Sequence, residues 1–174
     1  MKNIALVGFM GSGKSTVGRA LSQKMGYLFI DLDRRIEKST GRFIPEIFKR
    51  DGEDTFRQIE AAVLKDVLAA KKAVVSCGGG IVLREENRDI LKQKAIVIYL
   101  KAETDELFRR VGATGSKRPL LNVEDPKAEI KRLVEEREPL YQSVANMTIN
   151  TAGETINNIV ETIIKELKTR GLKI

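Results

Sequence analysis

Five short apolar runs divide the chain into regular units. They cover residues 4–7, 27–30, 73–76, 95–100 and 144–149 and predict five strands. The run 95–100 is apolar throughout, as in a strand that is buried on both faces of a parallel sheet. Segments of helical periodicity follow most of these runs. The order predicts an α/β fold, a three-layer α/β/α sandwich with a five-stranded parallel sheet, in a single domain over residues 1–174.

Apolar residues at helical spacing predict where the helices lie. Helices are predicted over 17–25, from about 34, over 43–48, over 55–70, over 104–111, from 126 and over 156–167. Gly52 marks a turn between the third and the fourth. Asp125 and Pro126 suit the N-cap and first position of the next-to-last helix, and Pro139 is expected to kink or end it. The stripe of helix 55–70 expected to face the core is Phe56, Ile59, Val63, Val67 and Ala70.

Residues 8–16 read GFMGSGKST and match the phosphate-binding pattern G-x-x-x-x-G-K-[ST] directly after the first predicted strand. In this position the backbone N–H groups of the loop and the N-terminus of the next helix converge on phosphate. Lys14 is expected to reach the β- and γ-phosphates, and the Ser15 hydroxyl is expected to bind Mg²⁺. The pattern predicts a site for ATP and Mg²⁺ whose nucleotide contacts are Gly11, Ser12, Gly13, Lys14, Ser15 and Thr16.

Two carboxylates, Asp31 and Asp33, follow the second predicted strand. Ligands of open parallel sheets lie outside the carboxyl ends of the strands, so these side chains are expected beside the phosphate-binding loop. One would face the Mg²⁺ shell and the other an incoming hydroxyl group, and Asp33 is the candidate acceptor of the hydroxyl proton. The alternative is that Asp33 only caps the helix that begins near residue 34.

Glycines 78, 79 and 80 follow the third predicted strand. Three glycines in a row suggest a backbone without side chains that a ligand can approach closely or, alternatively, a flexible left-handed turn.

Arg57 and Arg137 are candidate partners for an acidic group. If they converge, they would hold a carboxylate by bidentate hydrogen bonds. Otherwise Arg57 is a surface cation, and Arg137, on an apolar helical stripe, pairs with Glu135 or Glu138.

The composition narrows the choice of function. The net charge is +7 at pH 7, but lysine and arginine are scattered without interleaved aromatic residues, so an acidic metabolite with ATP is favoured over nucleic acid. With no histidine, a general base must be a carboxylate, a lysine or a water chain.

No apolar run approaches the ~18 residues that span a membrane. We therefore expect a cytoplasmic protein without a membrane partner, in which the lone Cys77 is a small buried side chain.

Glycines, small residues and basic residues between 112 and 119 are typical of a mobile flap or, alternatively, of a loose surface loop. A lid over about 112–125 would exclude water and so prevent phosphoryl transfer to water. Together these features predict a small-metabolite kinase.

The ordered set of motifs resembles shikimate kinase. The resemblance rests on 8–16, Asp-Leu-Asp at 31–33, Asp-Gly-Glu and Phe-Arg-Gln-Ile-Glu within 51–60, the glycines at 78–80, Arg-Pro-Leu-Leu at 118–121 and Arg-Glu-Pro-Leu-Tyr at 137–141. It implies a nucleoside-monophosphate-kinase-like fold, usually monomeric, that phosphorylates the 3-hydroxyl of shikimate with MgATP in aromatic amino-acid biosynthesis.

The resemblance also implies residue roles. Asp33, Arg57, Gly79 and Arg137 would bind shikimate within a segment of about 31–60 and the glycines 78–80, beside an apolar wall of Phe48 and Phe56. Arg118 would contact the transferred phosphate, Arg110 would lie near adenine, and Ser15 with Asp31 would lie at Mg²⁺. Lys14, Asp33 and Arg118 are the predicted catalytic residues. Competing interpretations are another hydroxy-acid kinase resembling gluconate kinase, a nucleotide-dependent regulatory protein, and a nucleic-acid-associated ATPase.

Overall fold

The computed structural model describes residues 2–113 and 125–172. Five strands form one parallel sheet in the order β2-β3-β1-β4-β5. They are β1 (Asn3–Val7), β2 (Leu28–Asp31), β3 (Ala73–Ser76), β4 (Ala95–Lys101) and β5 (Met147–Asn150). The predicted five-stranded parallel sheet is therefore confirmed. Because the strands are parallel, their carboxyl ends meet at one edge, where ligands of this architecture bind.

Helices cover both faces of the sheet, as a three-layer sandwich requires. They are α1 (Lys14–Met25), α2 (Leu32–Thr40), α3 (Ile44–Ala69), α4 (Glu85–Lys94), α5 (Thr104–Ala113), α6 (Pro126–Val144) and α7 (Ile156–Thr169). Alternate residues of β1 enter different cores: Ala5 and Val7 pack with residues of α2, α3, α4 and α6, whereas Ile4 and Leu6 pack with residues of α1 and α7. Within the described ranges, no helix combines the length and apolar character needed to cross a membrane.

The predicted turn at Gly52 is present, whereas other details of the helices and of β5 differ from the predictions. Helix α3 includes Gly52, whose non-helical backbone (φ 82°) divides it at the predicted turn. Of the stripe predicted to face the core, Phe56 and Val67 are buried and Ile59 and Val63 pack against the core while partly buried, so the prediction was wrong only at Ala70, which is exposed. The other buried residues of this part of α3 are Arg57, Glu60, Ala61, Leu64 and Leu68. Helix α6 continues through Pro139 to Val144, and β5 begins only at Met147. Pro139 is exposed, so the carbonyl that loses its N–H partner can be hydrated.

Candidate active site

The phosphate-binding loop joins β1 to α1 at the carboxyl edge of the sheet. Gly13 is the N-cap of α1 and has φ 91°, a conformation that favours glycine. Gly8 passes so close to β4 that a Cβ atom would lie 2.5 Å from the Leu100 carbonyl oxygen. Lys14 Nζ donates hydrogen bonds to the carbonyls of Gly8 and Phe9, at 2.9 and 2.8 Å. The ammonium group is therefore held against the backbone of the loop.

A group of oxygens at the start of α1 suits Mg²⁺. Ser15 Oγ donates to Asp31 Oδ2 at 2.9 Å and lies 3.1 Å from Ser76 Oγ. Hydroxyl and carboxylate oxygens are ligands that Mg²⁺ accepts, usually together with water and substrate phosphates. Among the described residues, no group of three or more acidic, cysteine or histidine side chains could chelate a metal. The donor set therefore fits a Mg²⁺ ion that is shared with bound phosphates. It does not fit a metal caged by protein alone.

Asp31, and not Asp33, caps the helix after β2. Helix α2 begins at Leu32, and the Arg34 N–H donates to Asp31 Oδ1. The interpretation of Asp33 as the N-cap was therefore wrong. Asp33 lies within the first turn of α2 and lines the site.

A cavity of about 500 Å³ extends from the phosphate-binding loop toward α7. Arg110 lines it and donates to the carbonyls of Gly11 and Thr151, at 3.4 and 3.1 Å. Thr151, Glu154 and Ile156 complete this end of the cavity, and sequence reasoning missed them. Their signal was available, because they follow β5 at the ligand-binding edge of the sheet. Ser76, at the carboxyl end of β3, was missed in the same way.

A second cavity, of about 280 Å³, lies between α3 and the glycines that follow β3. Phe48 and Phe56 form part of its apolar wall, with ring centroids 4.6 Å apart. Met10, Asp33, Gly78 and Gly79 line both cavities. Asp33 therefore stands where a group bound in one cavity would meet a group bound in the other.

Arg57 is a buried cation held by two carboxylates. Its Nη1 donates to Glu60 Oε2 at 2.8 Å, and its Nη2 and Nε donate to Glu53 Oε1 at 3.0 and 3.2 Å. The interpretation of Arg57 as a surface residue was therefore wrong. Burial alone would lower the pKa of Arg57, but the carboxylates of Glu60 and Glu53 outweigh burial and raise it. The guanidinium is a permanent, oriented positive charge in the wall of the second cavity.

Glu60 is the least exposed carboxylate in this wall. Only 1 % of it is exposed, and its Oε1 has no hydrogen-bond partner among the described residues. Burial raises the pKa of Glu60, Arg57 acts in the opposite direction, and the nearby Asp33 raises it further. The sequence showed Arg57 and Glu60 three residues apart but not that both turn inward.

Arg137 enters the same cavity from α6. It is buried, its guanidinium lies 5.9 Å from the centre of the Phe9 ring, and its Nε has no hydrogen-bond partner among the described residues. Glu138 pairs with Lys101, and Glu135 with Lys131, so the alternative pairing of Arg137 with either glutamate was wrong. A buried guanidinium with an unmatched donor can bind an anionic ligand.

The glycines 78–80, which we call the glycine loop, are closely packed. A Cβ on Gly78 would lie 2.8 Å from Asp33 Oδ1, and one on Gly80 would lie 2.4 Å from Arg57 Nη1 and Nη2. Each carbonyl accepts a hydrogen bond, from the Ile81 N–H, the Tyr141 hydroxyl and the Leu83 N–H in turn. None of these glycines has positive φ, so the interpretation as a flexible left-handed turn was wrong. A side chain at Gly78 or Gly80 would therefore have to displace the carboxylate of Asp33 or the guanidinium of Arg57.

The preceding residue, Cys77, is buried, and burial raises the pKa of its thiol. It is a packing residue, as predicted.

Comparison with known proteins identifies the family. Residues 10–168 match the family model described as shikimate kinase. A shikimate kinase of Thermodesulfovibrio yellowstonii is 45% identical over 166 residues, which cover 95% of each chain. One of Marinomonas sp. is 45% identical over 175 residues, covering 99% of this chain and 94% of the relative. The chain belongs to the shikimate kinase family.

Solved structures agree with this membership. A shikimate kinase from Acinetobacter baumannii in complex with shikimate superposes with a TM-score of 0.94 at 39% identity, covering 99% of this chain and 96% of that one. A gluconokinase from Sinorhizobium meliloti, at 19% identity and a TM-score of 0.63, shares the fold alone. The predicted fold class, a nucleoside-monophosphate-kinase-like P-loop sandwich, is therefore confirmed.

In this shikimate kinase family member, the structure brings together most of the predicted site residues. Lys14, Ser15, Asp31 and Arg110 line the first cavity, Arg57, Gly80 and Arg137 line the second, and Asp33, Gly78 and Gly79 line both. The remaining loop contacts Gly11, Ser12, Gly13 and Thr16 line the first cavity as well. Arg118 and most of the predicted lid lie outside the described residues.

Proposed function

We propose that this protein transfers the γ-phosphoryl group of MgATP to the 3-hydroxyl of shikimate, giving shikimate 3-phosphate and ADP, a step of aromatic amino-acid biosynthesis. The observation that carries the proposal is the common wall of the two cavities. A phosphate-binding cavity and an acid-binding cavity both contain Asp33, so phosphate donor and hydroxyl acceptor would meet there. Membership of the shikimate kinase family supports the identity of the acceptor.

The first cavity would hold the nucleotide. The loop residues Gly11 to Thr16 and the ammonium of Lys14 would bind the phosphates, and Arg110 with Ile156 would lie toward the base. Ser15 and Asp31 would hold Mg²⁺, with Ser76 close to Ser15. When bound, Mg²⁺ neutralises charge on the β- and γ-phosphates.

The second cavity would hold shikimate. Arg57 and Arg137 would bind its carboxylate, a pairing that is strong because both guanidinium groups are buried. The backbone of Gly79 would contact the acid, and Phe48 and Phe56 would pack against its ring. This arrangement favours a compact acid with hydroxyl groups over a larger nucleotide acceptor, because the cavity measures about 280 Å³.

Phosphoryl transfer needs in-line positioning and neutralisation of charge more than covalent chemistry. Asp33 would orient the 3-hydroxyl and accept its proton, because its carboxylate lies on the boundary of the two cavities. Lys14 would stabilise the negative charge that moves onto the β-phosphate side. Arg118, in the proposed lid over about 112–125, would contact the transferred phosphate.

The test is ADP formation from MgATP with and without shikimate, with the product identified by mass. Shikimate-dependent ADP and a singly phosphorylated acid support the proposal. Gluconate is the matched acceptor for the competing enzyme class, and a preference for it would refute the choice of acid. Asp33→Asn should reduce kcat by at least about a hundredfold while ADP binding is kept. A kcat near the wild-type value would remove Asp33 from the mechanism.

We further propose that residues 1–174 form one kinase domain that acts as a monomer in the cytoplasm without a nucleic-acid partner. Light scattering on the purified protein checks the mass, and a dimer would contradict the proposal. Stimulation of ATP hydrolysis by nucleic acid but not by shikimate would favour the nucleic-acid-associated ATPase instead. Nucleotide binding without transfer to any acid tried would favour a regulatory protein.

A further inference from the structure

Tyr141 lies where α6 meets the glycine loop. It is almost fully buried, and its hydroxyl donates a hydrogen bond to the Gly79 carbonyl, 62 residues earlier in the chain. Its ring stacks on that of Tyr99 in β4, with centroids 5.1 Å apart and an interplanar angle of 22°. The stacking fixes the ring against the sheet, so the position of the hydroxyl is set by the core of the protein.

The Tyr141 contact differs from the others that hold the glycine loop. The Gly78 carbonyl accepts from Ile81, and the Gly80 carbonyl accepts from Leu83, so both are tied by the backbone three residues later. The Gly79 carbonyl instead accepts from a distant side chain. Because the peptide bond is planar and trans, fixing this carbonyl also fixes the direction of the Gly80 N–H. Tyr141 therefore determines how one peptide plane faces the second cavity.

The same hydroxyl lies beside Arg137, one helical turn earlier on α6. Burial raises the pKa of the Tyr141 phenol, while the Arg137 guanidinium acts in the opposite direction through its charge and a hydrogen bond to the phenol oxygen. The phenol therefore stays protonated at neutral pH. It can donate to Gly79 and accept from Arg137 at the same time.

We infer that Tyr141 is a positioning residue for the acid substrate, whose hydroxyl aligns the Gly79 carbonyl and the Arg137 guanidinium with each other in the second cavity. The inference rests on the proposed function, because it assumes that these two groups bind shikimate. Tyr141 does not line either cavity, so it would act only through the groups it holds.

Tyr141→Phe tests the inference, because it removes the hydroxyl and keeps the ring. The matched control is Tyr99→Phe, which makes the same change in the other ring of the stacked pair. We expect Tyr141→Phe to raise KM and Kd for shikimate about five- to tenfold, the effect of one lost hydrogen bond. KM for MgATP and kcat should stay within about twofold of wild type, and Tyr99→Phe should leave all of these values within about twofold.

A role in folding alone would give a different result. Tyr141→Phe would then lower Tm without a selective change in Kd for shikimate, and this outcome overturns the inference. Equal weakening of shikimate and MgATP binding also overturns it. The double variant with Arg137→Lys adds a test of coupling: Tyr141→Phe should cost less in that background, and strictly additive losses would refute the coupling to Arg137. Absence of shikimate binding by the wild type would instead refute the proposed function, and with it this inference.

Discussion

Gly80→Ala should disturb the second cavity, in which we propose that shikimate binds, through a single added methyl group. The backbone at Gly80 does not have positive φ, so alanine fits the main chain. The added Cβ would lie 2.4 Å from both terminal nitrogens of Arg57. Ordinary contacts between such atoms begin near ~3.5 Å, so the guanidinium must retreat by about 1 Å.

The retreat has a calculable cost. The bond from Arg57 to Glu60 is 2.8 Å long, and a displacement of about 1 Å carries it beyond hydrogen-bonding distance. Loss of one charge-assisted hydrogen bond costs about 1.5–3 kcal/mol. If that alignment is used for the substrate carboxylate, KM for shikimate rises roughly tenfold to a hundredfold. The same loss lowers Tm by roughly 3–10 °C in a protein of this size.

Steady-state kinetics with shikimate and MgATP varied in turn, together with thermal unfolding, would measure both effects. Gly79→Ala is the matched control for stability, because its Cβ would lie at least 3.6 Å from its nearest neighbours. Its Tm should be unchanged or slightly higher, since alanine restricts the unfolded chain.

If Gly80→Ala kept both the wild-type KM and the wild-type Tm, the Arg57 guanidinium could move aside without weakening substrate binding or the stability of the fold. The argument that packing requires glycine at this position would then be wrong.

Three further variants test separate parts of the structure. Gly18→Ala would place a Cβ 2.7 Å from the Phe29 ring, so Tm should fall by about 2–10 °C with KM unchanged; an unchanged Tm would show that the ring yields freely. Glu60 has a raised pKa in the folded state, so its contribution to stability is present below pH ~4.5 and is lost as pH rises through the raised pKa. The stability of Glu60→Gln relative to wild type should therefore increase with pH in chemical unfolding from pH 4 to 8, and a constant difference would contradict the shift. Arg110→Ala should weaken ADP binding several-fold in calorimetry and leave shikimate binding unchanged. Equal weakening of both would contradict a role of Arg110 in nucleotide binding alone.

The strands and the phosphate-binding loop were predictable because their signals are local. A continuous apolar run such as 95–100 has few stable alternatives to a buried parallel strand. Helix α4 could not be found in this way, because its sequence is highly polar and only Asn87 and Leu91 are buried. The inward orientation of Arg57 and Glu60 is also a tertiary effect. Their spacing fits an exposed ion pair equally well, and only the approach of the glycine loop to α3 decides between the two.

The two aspartates illustrate the same limit. Their position after a strand located the site, but the start of α2 two residues earlier than predicted moved the capping interaction from Asp33 to Asp31. Asp31 takes the capping interaction with one oxygen and contacts Ser15 with the other. Predicted helix boundaries are uncertain by about that much, so the sequence alone could not assign these contacts.

The common wall of the two cavities also makes the protein a target for a bisubstrate inhibitor. A nucleotide joined to a small hydroxylated acid by a linker past Asp33 would occupy both cavities at once. After one end binds, a short linker keeps the other at an effective concentration in the millimolar range, on the order of 10⁻³ M. Phosphate-binding loops occur in many nucleotide-binding proteins, so the nucleotide end would add affinity without selectivity. Selectivity would come from the acid end, where two buried arginines and an aromatic wall enclose a small volume.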